Sequence, residues 1–260
     1  MANSIFKVDM IAEVVNANLG NEIQLLALAD VKPTEAKTGD TITVPKVSYI
    51  GNAEVVAEKT PIPVKDFVTG TEKVEIHKVG IGLSFSEEEV LNSYIDVNME
   101  AEKQLTASIA NALEAEMFGV LKGIDGAMAH EVTGGQLATV DIADALVKFG
   151  EKLNEAMYVI VSPAMYAQLR HDDNFVANAN HAGVVANAGQ IFGCNVIVSN
   201  SVEATEAFII KQGAVGMYLK QDLLLEADKN LSTQEHMLYA TKHFGVHLKD
   251  AAKAIKITTA

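Results

Sequence analysis

Near the N-terminus, hydrophobic residues recur at three- and four-residue steps: Ile5, Val8, Ile11, Val14 or Val15, and Leu19. That spacing puts them on one face of a helix, so residues 3–30 read as mostly helical, an arm feeding into something else. Lys32-Pro33 and Thr38-Gly39-Asp40 break the pattern. From Thr41 the period becomes two. Ile42 and Val44 alternate with threonines, and Val47 and Tyr49 extend the strand beyond Pro45. A proline there predicts an edge strand, where its missing N–H costs no ladder bond. A second strand is expected over residues 67–85. In it Val74 and Ile76 hold one parity and Val79, Ile81, Leu83 and Phe85 the other, and the slip predicts a bulge. Between the strands, residues 51–66 form a long polar tip. A two-stranded ribbon of that length cannot bury both faces within its own chain.

Helical spacing returns at Ser86, which with Glu89 fits a capping box, while Glu87 and Glu88 suit the positive end of the helix dipole. After a break near Asp96, Ala101, Leu105, Ile109, Ala112, Leu113, Met117, Val120 and Leu121 form one stripe ending at Lys122-Gly123. A run of about 26 residues at about 1.5 Å each makes a rod near ~40 Å. The next stretch reads as α/β. A helix capped by Asp141 carries Ile142, Leu146, Phe149 and Leu153, a buried strand covers 158–161, and Ser162-Pro163 opens a helix through His171. Residues 176–190, rich in Ala, Asn and Gly, read as a loop. Strands are expected at 195–199, 207–211, 214–219, 231–244 and 245–258.

Composition narrows the function. The 260 residues are 49% hydrophobic and carry a formal charge of −14, so the chain folds but repels nucleic acid at long range. Arg170 is the sole arginine, which argues against a dedicated phosphate or guanine reader. No uncharged apolar run approaches the roughly 18 residues of a membrane span. Lys7, Asp9 and Glu13 interrupt any signal-peptide core. A soluble protein made in the cytoplasm is expected. Cys194 is the only cysteine, so an intrachain disulfide and a cysteine zinc site are excluded. No phosphate-binding, dinucleotide, nucleophile-elbow or zinc-protease motif occurs. The His171-Asp172-Asp173 run reads as a solvated helix end rather than a ligand set. His243 and His247 read as ordinary half-buried strand residues, and Gly189 to Gly193 precedes a strand where a phosphate loop should follow one. Neither an enzyme activity nor a cofactor is expected.

The order of elements carries a resemblance. "GDTITVPKVSYIGNAEVVAEKTPIPVKDFVTGTEKVEIHKVGIGLSFSEEEVL", residues 39–91, resembles the extended loop leading into the peripheral domain of tailed-bacteriophage major capsid proteins, the Hong Kong ninety-seven type fold. "YVIVSPAMYAQLRHDD" and "GQIFGCNVIVSN" are similar to segments of that family's axial domain. The resemblance implies an α+β fold with an N-terminal arm over 1–37 and an extended β-hairpin loop over 38–85. A peripheral domain with the spine helix would take 86–134 and 222–260, and an axial domain 135–221. It further implies a structural subunit that assembles with itself into pentamers and hexamers of an icosahedral head enclosing double-stranded DNA. The DNA would be touched only weakly and without specificity, and no membrane is involved. Scaffolding, portal or decoration proteins are the other partners it implies. The arm begins near Met1, so a scaffold is expected to be either a separate protein or unnecessary. The family's lysine–asparagine crosslinking is not carried over, because no lysine, asparagine and glutamate align with it.

Residue chemistry supports the same picture independently. An over-long ribbon and an arm supply what large obligate interfaces need, about 2,000 Å² or more of buried surface. Glu54, Glu58, Lys59 and Lys65 on the ribbon tip have mixed signs and little to pair with locally, and are the candidate inter-subunit contacts. An encapsulin-type nanocompartment housing an enzyme cargo is the alternative of the same fold. A metabolic α/β enzyme is the alternative of a different class.

Overall fold

The computed structural model describes residues 14–15, 18–19, 23, 25–34, 39–47, 51–58, 61–64, 66, 69–94, 96–151, 154–172, 174–177 and 187–259. Strand β1 (Asp30–Pro33) precedes the ribbon strands β2 (Thr41–Val47) and β3 (Thr69–Glu75), followed by β4 (His77–Ser86), helix α1 (Glu87–Asn92) and the long helix α2 (Val97–Lys122). Then come β5 (Ala129–Val132), α3 (Thr139–Leu146), β6 (Met157–Val161), α4 (Pro163–Leu169) and β7 (Val176–Ala177). The chain closes with β8 (Asn187–Ile191), β9 (Cys194–Val198), β10 (Glu206–Lys211), β11 (Val215–Asn230), β12 (Glu235–Leu248) and β13 (Ala254–Thr259). They form a four-stranded sheet β1-β11-β12-β4, a seven-stranded sheet β5-β13-β10-β6-β9-β8-β7, and the two-stranded ribbon β2-β3.

The seven-stranded sheet is apolar on both faces. On one, Val159, Val161, Val196, Ile209, Ile255 and Ile257 pack with Ile142, Leu146 and Phe149 around α3 and with Met165 and Leu169 of α4. On the other, Ile160, Ile197, Phe208 and Ile210 join a second core that includes α2 and the four-stranded sheet. A sheet covered on both sides reads as continuous hydrophobic runs, as Glu206–Lys211, buried throughout, does here. Ser162 caps α4 by accepting a hydrogen bond from the Met165 N–H at 3.3 Å, with Pro163 in the first turn.

Helix α2 ties the two sheets together. Ala101, Leu105, Ile109, Leu113, Met117 and Leu121 are buried at steps of four. Each such step turns about 40° past a full rotation, so the buried side swings by about 200° along the rod. One partner cannot satisfy a face that rotates so far. The helix accordingly touches β4 and β12 of one sheet and β13 of the other. Glu116 meets His77 at the start of β4 (3.3 Å), the Phe118 ring lies 5.9 Å from Phe208 of β10, and the Lys122 carbonyl accepts from Lys256 of β13.

Several expectations hold and others do not. The Ser86–Glu89 capping box closes in both directions, at 2.7 and 3.2 Å, and the spine helix spans 26 residues. Of its expected stripe, Ala112 and Val120 are only half-buried, while Ala110 and Phe118 are buried instead. Within residues 3–30, helix is described only at 14–15 and 18–19. A 3₁₀ turn follows at Leu25–Leu28, and Asp30–Pro33 is a strand parallel to β11. Most of residues 3–24 lie outside the described residues, and main-chain pairing with β11 replaces the expected helix only at Asp30.

The slip at Ile76 is not a bulge but the point where the chain leaves one sheet for another. The Ile76 N–H donates to the Asp40 carbonyl at 2.7 Å, and β4 then pairs with β12 without a register shift. Residues 176–190 are not all loop, because β7 and β8 pair as an antiparallel edge beside β9. Asp141 sits in the first turn rather than at the cap, and its carboxylate accepts from the Ala138 N–H at 2.8 Å. Strand β11 runs on to Asn230, past the expected end at residue 219, with bulges between Leu219 and Leu224. Strand β12 passes straight through Gly245.

Candidate assembly interface

The ribbon leaves the body at a buried root and ends in an exposed tip. Its strands pair from Thr41↔Glu75 to Val47↔Thr69, with Pro45 opposite Thr71, and among the described residues no third strand joins the ribbon. At the root, β3 lies against the four-stranded sheet at Gly245. Within the sheet, a methyl group built on Gly216 would lie 2.3 Å from the ring of its cross-strand neighbour His247, and between the layers one on Gly245 would lie 2.5 Å from the Glu75 carbonyl. Only glycine lets the layers approach so closely. Gly245→Ala is therefore expected to cost about 1–3 kcal/mol of stability and to pry the ribbon from the sheet. Thermal unfolding together with limited proteolysis between residues 47 and 69 measures both effects.

Beyond the root the tip carries both charge and apolar surface. Glu54 and Glu58 are exposed, whereas Lys59 and Lys65 lie outside the described residues. The sequence reading missed the neighbours of the charges: Val55, Ile62 and Val64 are each more than three-quarters exposed. Pro61 and Pro63 are exposed beside them. Three β-branched side chains thus stand open to water on this segment. The signal was present in the sequence as Val55-Val56 and Pro61-Ile62-Pro63-Val64, but the charged residues around it made the segment look merely polar.

Several groups singled out by sequence are held by the fold. Asp172 accepts from the Thr139 hydroxyl and from Asn174, and those hydrogen bonds, the Thr139 one foremost, hold its carboxyl below the ordinary range. Gly193 and Phe192, both at positive φ, make the two-residue turn between β8 and β9 rather than a phosphate loop. Burial pushes the Cys194 thiol up to about 11, which leaves it inert. His243 is half-buried, but His247 is buried and its ring stacks on Tyr218 at 5.3 Å. Glu87 is held by Lys229 of β11 at 2.7 Å. Among the described residues no group of three or more His, Cys, Asp or Glu side chains gathers as a metal site would.

A phage capsid protein family model matches residues 69–257, which takes in all of the chain from β3 onward except its last residues. The major capsid protein of Staphylococcus phage phiMR11 is 31% identical over 257 residues, covering 96% of this chain and 92% of that protein. The chain belongs to the phage capsid protein family. Solved structures agree on the fold. The capsid of Ralstonia phage GP4 superposes with a TM-score of 0.70 at 12% identity, covering 88% of this chain and 86% of that one. A virus-like particle from Pyrococcus furiosus gives 0.67 at 12% identity, covering 97% of this chain and all of that one. So distant a likeness fixes the fold alone, and it does not separate a phage head from other shells. The sequence relative does, and the nanocompartment alternative is not favoured. As a capsid protein the chain has a structural role.

Proposed function

We propose that this protein is the major shell subunit of a tailed-phage head, assembled in the host cytoplasm as pentamers and hexamers around double-stranded DNA. One observation carries the reading: a ribbon rooted tightly on the four-stranded sheet presents Val55, Ile62 and Val64 to solvent. Their burial against a neighbouring subunit supplies the hydrophobic part of a contact, and Glu54, Glu58, Lys59 and Lys65 set its register by charge. The formal charge of −14 keeps contact with packaged DNA weak, and no catalytic step is assigned to the chain. Scaffolding, portal and decoration proteins are the further partners of this reading. The arm (1–37), extended loop (38–85), peripheral domain (86–134 and 222–260) and axial domain (135–221) are its working divisions. The axial sheet takes in β5 and β13 from the neighbouring ranges.

Purified full-length protein is expected to form rings or closed shells in electron micrographs, with light-scattering masses many times 27.8 kDa. A stable monomer across all protein and salt concentrations overturns the proposal.

A further inference from the structure

At the ribbon root the four-stranded sheet and the ribbon enclose a cleft of about 580 Å³. His247 lies in its wall, only 8% exposed, stacked on Tyr218 and directly over Gly216. The ring lies against the Gly216 backbone, and its Nδ1 is buried without a hydrogen-bond partner. A neutral imidazole tolerates that position, because an unpaired lone pair is a modest cost. A protonated one places an N–H and a positive charge where neither is met.

We infer that His247 makes the ribbon root a pH-sensitive joint: protonation of its buried imidazole loosens the packing of β3 on the four-stranded sheet and frees the ribbon to change its angle to the body.

The charges facing the cleft decide the direction. From β1 come Asp30 and Lys32, from β2 Lys46, from β3 Glu72, and from the end of β12 and the turn after it Lys249 and Asp250; β11 adds the Tyr218 phenol. The two carboxylates best placed to receive an imidazolium are already engaged. Glu72 pairs with Lys46 at 3.7 Å, and Asp30 pairs with Lys249 and with Lys32, the latter at 3.6 Å. Burial is the largest influence on the ring and holds its pKa below the ordinary histidine value, against the weaker pull of Glu72 and Asp30. The sign follows. Once pH drops below the ordinary value, the opened root binds a proton that the closed root refuses. Closure is fully stable above that value and weakens as pH falls towards the depressed one. Over that window the open fraction rises by about tenfold per pH unit, the limit for one differential proton.

The mechanism is local to each subunit, so it is tested without reference to shells. Amide hydrogen exchange of the protein, corrected for intrinsic rates, is followed between pH 8 and pH 5 at residues 43, 44, 46 and 71–75. Amides of Met157–Val161 in the seven-stranded sheet serve as the internal reference. In the wild type the root amides are expected to lose protection on acidification while the reference does not. In His247→Gln, which keeps a polar side chain but cannot titrate, root protection is expected to be independent of pH. A wild-type root whose protection is flat or rises on acidification overturns the proposal, as does an unchanged acid response in the variant. Should the variant fail to fold, the His247 ring itself decides. Its resonance is expected to titrate with a midpoint below the ordinary histidine value, and a midpoint at or above that value removes the joint.

Discussion

Leu105→Ala is expected to destabilise the unassembled subunit by about 2–5 kcal/mol, a large fraction of the roughly 5–15 kcal/mol that holds a domain together. Leu105 is completely buried in the core that α2 shares with both sheets. Because the buried side of this helix rotates along its length, its neighbours cannot collapse onto the hole from one direction, which favours the upper part of that range. A melting temperature lower by roughly 5–15 °C is the expected readout in circular dichroism. The yield of soluble subunit should fall with it, before any question of assembly arises. Phe118→Ala is expected to cost about 3–5 kcal/mol by the same route, since its ring bridges to Phe208 of the second sheet. A melting temperature unchanged in both variants means that α2 is not what joins the sheets.

What could be read in advance follows from which forces are local. The capping box at Ser86, the Ser162-Pro163 helix start and the rod over Val97–Lys122 are set by residues within a few positions of one another, and all three are found. The errors lie where the partner strand decides. Gly189 and its Ala- and Asn-rich surroundings have little strand propensity of their own, yet they pair with β9 because an apolar sheet needs its edge extended. Residues 220–230 alternate poorly, since bulges between Leu219 and Leu224 shift the parity of β11 against β12. Ile76 looked like a slip within one strand because the sequence records only the change of parity and not the change of sheet. At the interface the tip's length and its charges were legible. The weight of Val55, Ile62 and Val64 was not, because an exposed apolar side chain is spelled the same way as a buried one.

Removing residues 52–64 is expected to leave a folded subunit that builds no shells. The ribbon strands Thr41–Val47 and Thr69–Glu75 lie outside the deletion, and the root contact of Gly245 with Glu75 is untouched, so the melting temperature should stay close to that of the wild type. The sharper variant keeps the length of the loop and changes Val55, Ile62 and Val64 to serine together. Each of these side chains, if fully buried against a neighbour, contributes about 1.5–3 kcal/mol, so losing three weakens each contact by roughly 5–9 kcal/mol. Even the lower figure is a factor of more than about 10³ in the association constant of one contact, and every subunit of a shell repeats it. Exchanging Glu54 and Glu58 for glutamine should act more mildly, since rim charges contribute about 1 kcal/mol or less and mainly guide encounter. Electron microscopy and light scattering at matched concentrations therefore order the set: the deletion and the triple serine variant without shells, the glutamine variant with shells that form more slowly. Shells of normal yield from the triple serine variant mean that the tip's apolar surface is not an assembly contact, and the energetic centre of the interface then lies elsewhere on the subunit.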